Sequence, residues 1–404
     1  MKIRSTDKTA AGYSPLTRSR TKSSRRKFSS PDPLGSPKDR LSEPGEPDLK
    51  LIDPRELKNQ TPPATQKILE ELFHRSAKSP NPVLSSLEPC VKNASRVSLD
   101  YKKIREWAQK VTPRDVKPAE WRFPFHIEED SQRTLDFFFL ANSINYLFFD
   151  PENGEKFQTE YRGETYSGSD AMFASLKRAL EEGVPILDAD YLSRIGEKEM
   201  KHIFRGNFEL PLLKERTQSF REVGKVLKDK YQGHFLNLAR EADFQAFDQG
   251  KGMVERIVKD FPSFRDESPY PQTGQNLIFN KRAQLQVGML HSRLEKTGIF
   301  ACKDVKALTV FADYQLPKGL KAMGILKYSP ELEKKIAVGE LIPKDSPEEQ
   351  EIRAFTIVAS KLLEEEINRR EGFSVDARGI DFLLWHTARK DNQTPHHRTV
   401  TTAY

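Results

Sequence analysis

The sequence predicts a mainly α-helical protein: a single helical core with a small antiparallel β-meander, behind a disordered basic N-terminal tail. Three observations carry that reading. From about residue 85 onward, apolar residues recur at helical spacing between clear start and stop signals. One stretch, 146–168 (YLFFDPENGEKFQTEYRGETYSG), breaks the rhythm with period-two alternation at Phe157, Thr159 and Tyr161 between turn signals at PENG and RG. Residues 1–60 are rich in Ser, Pro, Lys and Arg and hold few large apolar groups, so burial there does not offset the entropy of ordering the chain. Of the 404 residues, an ordered part of about 300 is enough to bury a substantial interior.

Taken in order, residues 1–60 are the tail, 61–84 a linker with one short amphipathic helix (QKILEELFHR), and 85–404 the globular domain. Leu213, Phe220, Val223, Leu227 and Tyr231 form an apolar stripe that runs to Gly233, and Leu285, Met289, Leu290 and Leu294 form another that stops at Gly298. Ser329-Pro330 opens a short helix carrying Leu332 and Ile336, with Gly339 behind it. The strongest helix signal follows: Ser346 caps, Pro347 takes the first position and Glu349 completes a capping box ahead of Ile352, Phe355, Val358, Leu362 and Ile367. Gly372 ends it.

Net charge is +7, which invites a nucleic-acid reading, yet its location argues otherwise. Residues 1–60 hold 14 Lys or Arg against 8 Asp or Glu, so +6 belongs to the tail and about +1 to everything after it. The basic run from Arg18 to Lys27 has the composition of a nuclear import signal, and Ser14, Ser30 and Ser36 each precede proline as candidate phosphorylation sites; a solvated tail is the simpler reading. Cys90 and Cys302 stand far apart without metal-site spacing, so neither a disulfide framework nor a cysteine zinc site is expected. The most apolar stretch, 135–149, is interrupted by Asp136, Asn142, Ser143 and Asn145 and is too short for a bilayer. With no apolar leader in the first 30 residues, the expected location is the cytoplasm, with the nucleus as the alternative. No membrane is expected as a partner.

Phosphate-loop, dinucleotide-fold, HExxH and GxSxG signatures are all absent, and no cofactor is expected. What remains is a set of polar residues embedded in apolar segments, where charge is costly unless paired or functional. Asp313 and Tyr314 follow an apolar run in LTVFADYQLPKGL, ahead of a helix expected to start at Pro317; an Asp there also suits a helix cap or an arginine partner. Lys281 and Arg282 stand at a helix start, where cations oppose the helix dipole unless an anion or carboxylate lies near; a surface salt bridge would serve as well. Asn142 and Asn145 lie among aromatics in FFFLANSINYLFF, suited to holding a planar heterocycle or to simple core packing. Asp381, Trp385, His397, Arg398 and Tyr404 gather near the C-terminus; His396 and His397 are adjacent rather than at ligand spacing on one helix face, so no metal is proposed.

These segments, in this order, resemble the queuosine 5′-phosphate N-glycosylase (queuosine salvage) family: NYLFF, YRGETYSG, ALEEGVPILDADY, FPSFRD, KRAQ, FADYQLP, LKYSPEL, LLWHTAR and HHRTVTTAY, spanning residues 85–404. The family pattern commonly has an acid where Asn142 stands and Trp where Phe149 stands, so neither is assigned a role. The resemblance implies a helical fold like that of DNA base-excision glycosylases. It also implies hydrolysis of queuosine 5′-phosphate by water to queuine and ribose 5-phosphate, salvaging queuine for tRNA modification without direct contact with nucleic acid. On that reading Asp313 is the catalytic carboxylate facing the developing sugar cation. Lys281 or Arg398 would hold the phosphate, and Asn145, Tyr314 and Trp385 the base. Asp381 would meet the diol or amine of the queuine side group, and Arg282, His397 and Tyr404 complete the candidate substrate contacts. The alternatives are a tRNA- or DNA-binding glycosylase and a non-enzymatic scaffold with the same fold; oligomeric state is left open.

Overall fold

The structure is a computed structural model that describes residues 62–404, so the reading of residues 1–60 as a disordered tail lies outside the described residues. Among the described residues helices dominate, joined by three two-stranded antiparallel pairs. No helix among the described residues is long and apolar enough to cross a membrane, and both cysteines are free and buried.

Two apolar clusters organise the chain. The first gathers around Phe137, Phe138 and Phe139 on the helix Gln132–Ser143, packed by the helices Leu213–Tyr231, Met253–Asp260 and Lys281–Leu294. Each of these phenylalanines is fully buried and contributes on the order of 1.5–3 kcal/mol by leaving water. The second forms around Ile352, Val358 and Leu363 on the helix Pro347–Asn368, and includes the strand pair Val97–Leu99 with Leu326–Tyr328. The helix Pro63–Ser76, in the segment read as a linker, places Leu69, Leu72 and Phe73 in this second cluster. The clusters meet along the chain at Phe311 and Ala312, which belong to one each, and Asp313 follows at the seam.

The expected start signals act as read, with two differences. Ser346 Oγ accepts the Glu349 N–H at 3.3 Å, but the return half of the capping box is missing. The Ser346 N–H bonds the Pro343 carbonyl, and Glu349 turns inward to lie 3.5 Å from Arg353. The second difference is at the helix expected from Pro317. It begins at Gln315, because Asp313 Oδ1 accepts the N–H groups of Gln315 at 2.7 Å and Leu316 at 3.1 Å, leaving Pro317 at the third position. The meander is a hairpin, Gln158–Tyr161 with Glu164–Ser167, preceded by a single antiparallel bridge from Phe149 to Lys156. Its turn uses Arg162 and Gly163, both at positive φ (51° and 79°), a conformation that favours glycine at the second position.

Two helices that carry candidate site residues cross without side chains between them. Gln315–Ala322 approaches Ala377–Lys390 so closely at Gly319 that an added Cβ would stand 2.5 Å from the Leu384 carbonyl oxygen. Gly319→Ala must therefore push the helices apart, with an expected loss of about 1–3 kcal/mol in urea unfolding. An unchanged midpoint would show that this contact does not set the helix spacing.

Candidate active site

The seam between the clusters opens into a cleft with two lobes that share Asn145, Ser169, Lys281, Asp313 and Trp385 at their waist. The first lobe, about 860 Å³ of atom-free space including its open mouth, is walled by Trp121, Phe123, Phe125, Phe173, Phe382 and Trp385. Asp381 and Asp170 add carboxyl groups to that wall. The second lobe carries Lys156, Lys318 and Arg389, together with Tyr314, Tyr404 and the start of the helix Ser169–Glu181. Gly168 precedes that helix at φ 64°, and the first-turn N–H groups of a helix lack acceptors within it.

At the waist, Lys281 is 4% exposed, and its Nζ donates to the Asn145 carbonyl at 3.3 Å. Desolvation lowers its pKa, and the neighbouring Asp313 and Asp381 carboxylates work against that loss. Asp313 is raised by desolvation and held down by the Lys281 charge and the two N–H groups it caps. It is therefore both a helix cap and a lining residue of both lobes. Asp381 Oδ1 accepts the Phe311 N–H at 2.9 Å; desolvation first and Asp313 second push its pKa up to about 8.

Behind the waist lies a buried ion pair. Arg353 bonds both oxygens of Asp266, at 2.8 and 2.6 Å, and its Nε reaches the Ala312 carbonyl at 3.4 Å. Asp266 Oδ2 also accepts the Lys281 N–H at 3.1 Å. The guanidinium lies between the rings of Phe279 and Tyr404, with centroids at 3.9 and 4.5 Å.

The stretch after the helix Gln132–Ser143 is fixed by two more buried guanidiniums. Arg216 donates to the carbonyls of Ile144, Tyr146 and Leu147. Arg282 takes those of Asn142 and Ser143, and reaches Ser263 from its other nitrogen. Carbonyls at a helix end lack partners within the helix and carry partial negative charge, so two cations satisfy and hold that end. Asn145 is positioned as a result, and its Nδ2 donates to Asn142 Oδ1 at 3.0 Å.

Of the residues singled out from the sequence, Asn145, Lys281, Asp313, Tyr314, Asp381, Trp385 and Tyr404 line the cleft. Arg282, His397 and Arg398 line neither lobe. Arg282 is turned to the backbone carbonyls just described. His397 Nε2 pairs with the Tyr404 hydroxyl at 3.1 Å, and burial lowers its pKa to about 3. The Arg398 guanidinium fills space left by glycines: a Cβ on Gly154 or Gly339 would meet it at 2.1 or 3.0 Å. Sequence reading missed Lys156, Lys318 and Arg389, which come from three distant segments. It also missed the aromatic wall, although WRFPFH at 121–126 is dense enough in rings to have marked it.

Fold and cleft together describe a helix-rich protein whose site is aromatic at one end, cationic at the other, and carboxylate–ammonium between. The comparisons with known proteins agree. The chain belongs to the queuosine salvage protein family, whose model matches residues 125–404. It is 36% identical over 325 residues to the queuosine 5′-phosphate N-glycosylase/hydrolase of Sphaerobacter thermophilus, covering 80% of this chain and 97% of that one. It is 31% identical over 323 residues to the protein of that name from Mus musculus (76% and 94%). A third, from Schizosaccharomyces pombe, is 30% identical over 287 residues (67% and 80%).

Breaking the Arg353–Asp266 pair from one side leaves a charge without its partner in the interior. Arg353→Met is expected to cost about 3–5 kcal/mol in urea unfolding, and Arg353→Met with Asp266→Leu to recover part of it. Equal losses in the single and double variants would count against the pair as the anchor.

Proposed function

We propose that this protein hydrolyses the N-glycosidic bond of queuosine 5′-phosphate, releasing queuine and ribose 5-phosphate, and so returns queuine for tRNA modification in the cytoplasm. The observation that carries this reading is the polarity of the cleft. An aromatic lobe suits a planar base, a cationic lobe suits a 5′-phosphate, and the waist between them suits the ribose. Membership of the family supports the same substrate.

Asp313 faces the sugar. Breaking the bond builds oxocarbenium-like charge on the anomeric carbon, and an ionised carboxylate in a desolvated site stabilises it. Lys281, whose strongest opposite charge is Asp313, keeps that carboxylate ionised rather than holding phosphate. The phosphate falls to Lys156, Lys318 and Arg389 with the first turn of the helix Ser169–Glu181. Desolvation lowers the Lys156 pKa, and the charges of Lys318 and Arg389 lower it further; a bound dianion relieves that repulsion. Trp385 and Asn145, shared by both lobes, border the base and sugar, and Tyr314 stands on the phosphate side.

The test is incubation of purified protein with queuosine 5′-phosphate and, separately, with queuosine, followed by detection of free queuine. Release from the nucleotide is expected, and absence of release from both sinks the proposal. Asp313→Asn should reduce turnover by a factor on the order of 10³ without loss of fold. Lys318→Ala combined with Arg389→Ala should raise KM for the nucleotide by about tenfold or more and barely alter any activity on the nucleoside; equal effects on the two would place the phosphate elsewhere.

A further inference from the structure

We propose that Asp381 is the acid of this site: it enters the reaction protonated and gives its proton to the departing base while ionised Asp313 receives the proton of the attacking water. The inference rests on the N-glycosidase reading above and adds to it the question of how the base leaves. A 7-deazaguanine has no N7 to take a proton, so its departure depends on a donor placed elsewhere around the ring.

The geometry separates the two carboxyl groups. Both stand in one cleft and act on the same ammonium, that of Lys281. Two carboxylates against one ammonium leave an uncompensated negative charge in a desolvated site, and one proton removes it. The hydrogen bonds decide where that proton sits. Asp313 Oδ1 accepts two backbone N–H groups, whereas the Phe311 N–H is the only hydrogen bond to the Asp381 carboxyl among the described residues. Negative charge is therefore better supported on Asp313, and the proton falls to Asp381, with Oδ2 left to donate. Asp381 also lines the aromatic lobe, beside Phe382 and Trp385, where the base is placed.

The groups facing Asp381 agree. Asp313 repels its ionised form, and Lys281 offsets this in part. Across the lobe stand Asp170, tied to Arg389 at 3.0 Å, and His126, which burial keeps neutral. On its own helix, one turn earlier, the Arg378 charge is already taken by Asp376 at 2.6 Å. With its pKa pushed up to about 8, Asp381 holds its proton at neutral pH and can still release it.

The step balances. The bond from the anomeric carbon to the ring nitrogen breaks with its electron pair passing to the base, and the Asp381 proton neutralises that base. Water adds its oxygen to the anomeric carbon and gives one proton to Asp313. Return of that proton from Asp313 to Asp381 restores the starting state.

The test compares wild type, Asp381→Asn and Asp381→Ala on two substrates, queuosine 5′-phosphate and 4-nitrophenyl riboside 5-phosphate, whose leaving group departs without a proton. Thermal melts are matched first. Both variants should lose about 10²–10⁴-fold in kcat on the queuosine nucleotide and stay within about tenfold of wild type on the nitrophenyl substrate. Wild-type kcat on the nucleotide should fall as pH rises through about 8, since only protonated Asp381 donates, and that fall should vanish in Asp381→Asn. Equal losses on both substrates, an effect confined to KM, or an alkaline fall that persists in Asp381→Asn would each overturn the assignment. Failure of the wild type on both substrates would instead remove the N-glycosidase reading on which it rests.

Discussion

The paired charges of Arg353 and Asp266 are the constraint from which the site is built. Neither residue lines the cleft, yet each holds a part of it. Through Ala312, Arg353 fixes the turn that presents Asp313; through its backbone N–H, Lys281 is fixed by Asp266. A buried pair of this kind adds little net stability compared with apolar packing, but it is geometrically exacting. Two oxygens and two nitrogens must meet at once, and the rings of Phe279 and Tyr404 close the remaining faces. The seam between two apolar clusters thus has a rigid polar seat instead of a gap.

That seat explains how the cleft keeps opposed charges apart by only a few residues. Apolar packing on both sides removes water, which strengthens each remaining interaction and raises the cost of any unmatched one. Lys281 and Asp313 answer one another at the waist, while at the far lobe Lys156 meets the charges of Lys318, which bonds the Asp391 carbonyl, and Arg389, which is tied to Asp170. A site with matched charge in the middle and surplus positive charge at one end orders a substrate end to end before any bond changes.

The sequence made the local parts of this architecture legible and the long-range parts obscure. Ser346 and Pro347 announce a helix because cap chemistry acts within four residues, and the stripe from Leu213 to Tyr231 does so because burial follows the helical period. The inward turn of Glu349 was not readable, since Tyr404 is brought to it by packing and Arg353, one turn on in the same helix, is itself drawn into the interior by Asp266. Arg282 looked like a candidate for substrate for the same reason: the carbonyls that claim it lie about 140 positions away in sequence. Asp313 read as an ordinary cap, and it is one; that it also lines both lobes depends on where two clusters meet. Lys156, Lys318 and Arg389 each resemble a solvated surface cation until the fold gathers them. His397 and Arg398 lie near Tyr404 in the chain, yet only Tyr404 reaches the cleft.

The close passage of two backbones at Gly319 and Leu384 has a consequence for how such a sequence can drift. One helix carries the turn with Asp313 at its head and the other carries Asp381, and their separation at the crossing is set by a carbonyl oxygen against a missing side chain. Nothing in that contact depends on the identity of the surrounding side chains. An exchange of apolar residues elsewhere on the two helices leaves this one spacing in place, provided the glycine is kept.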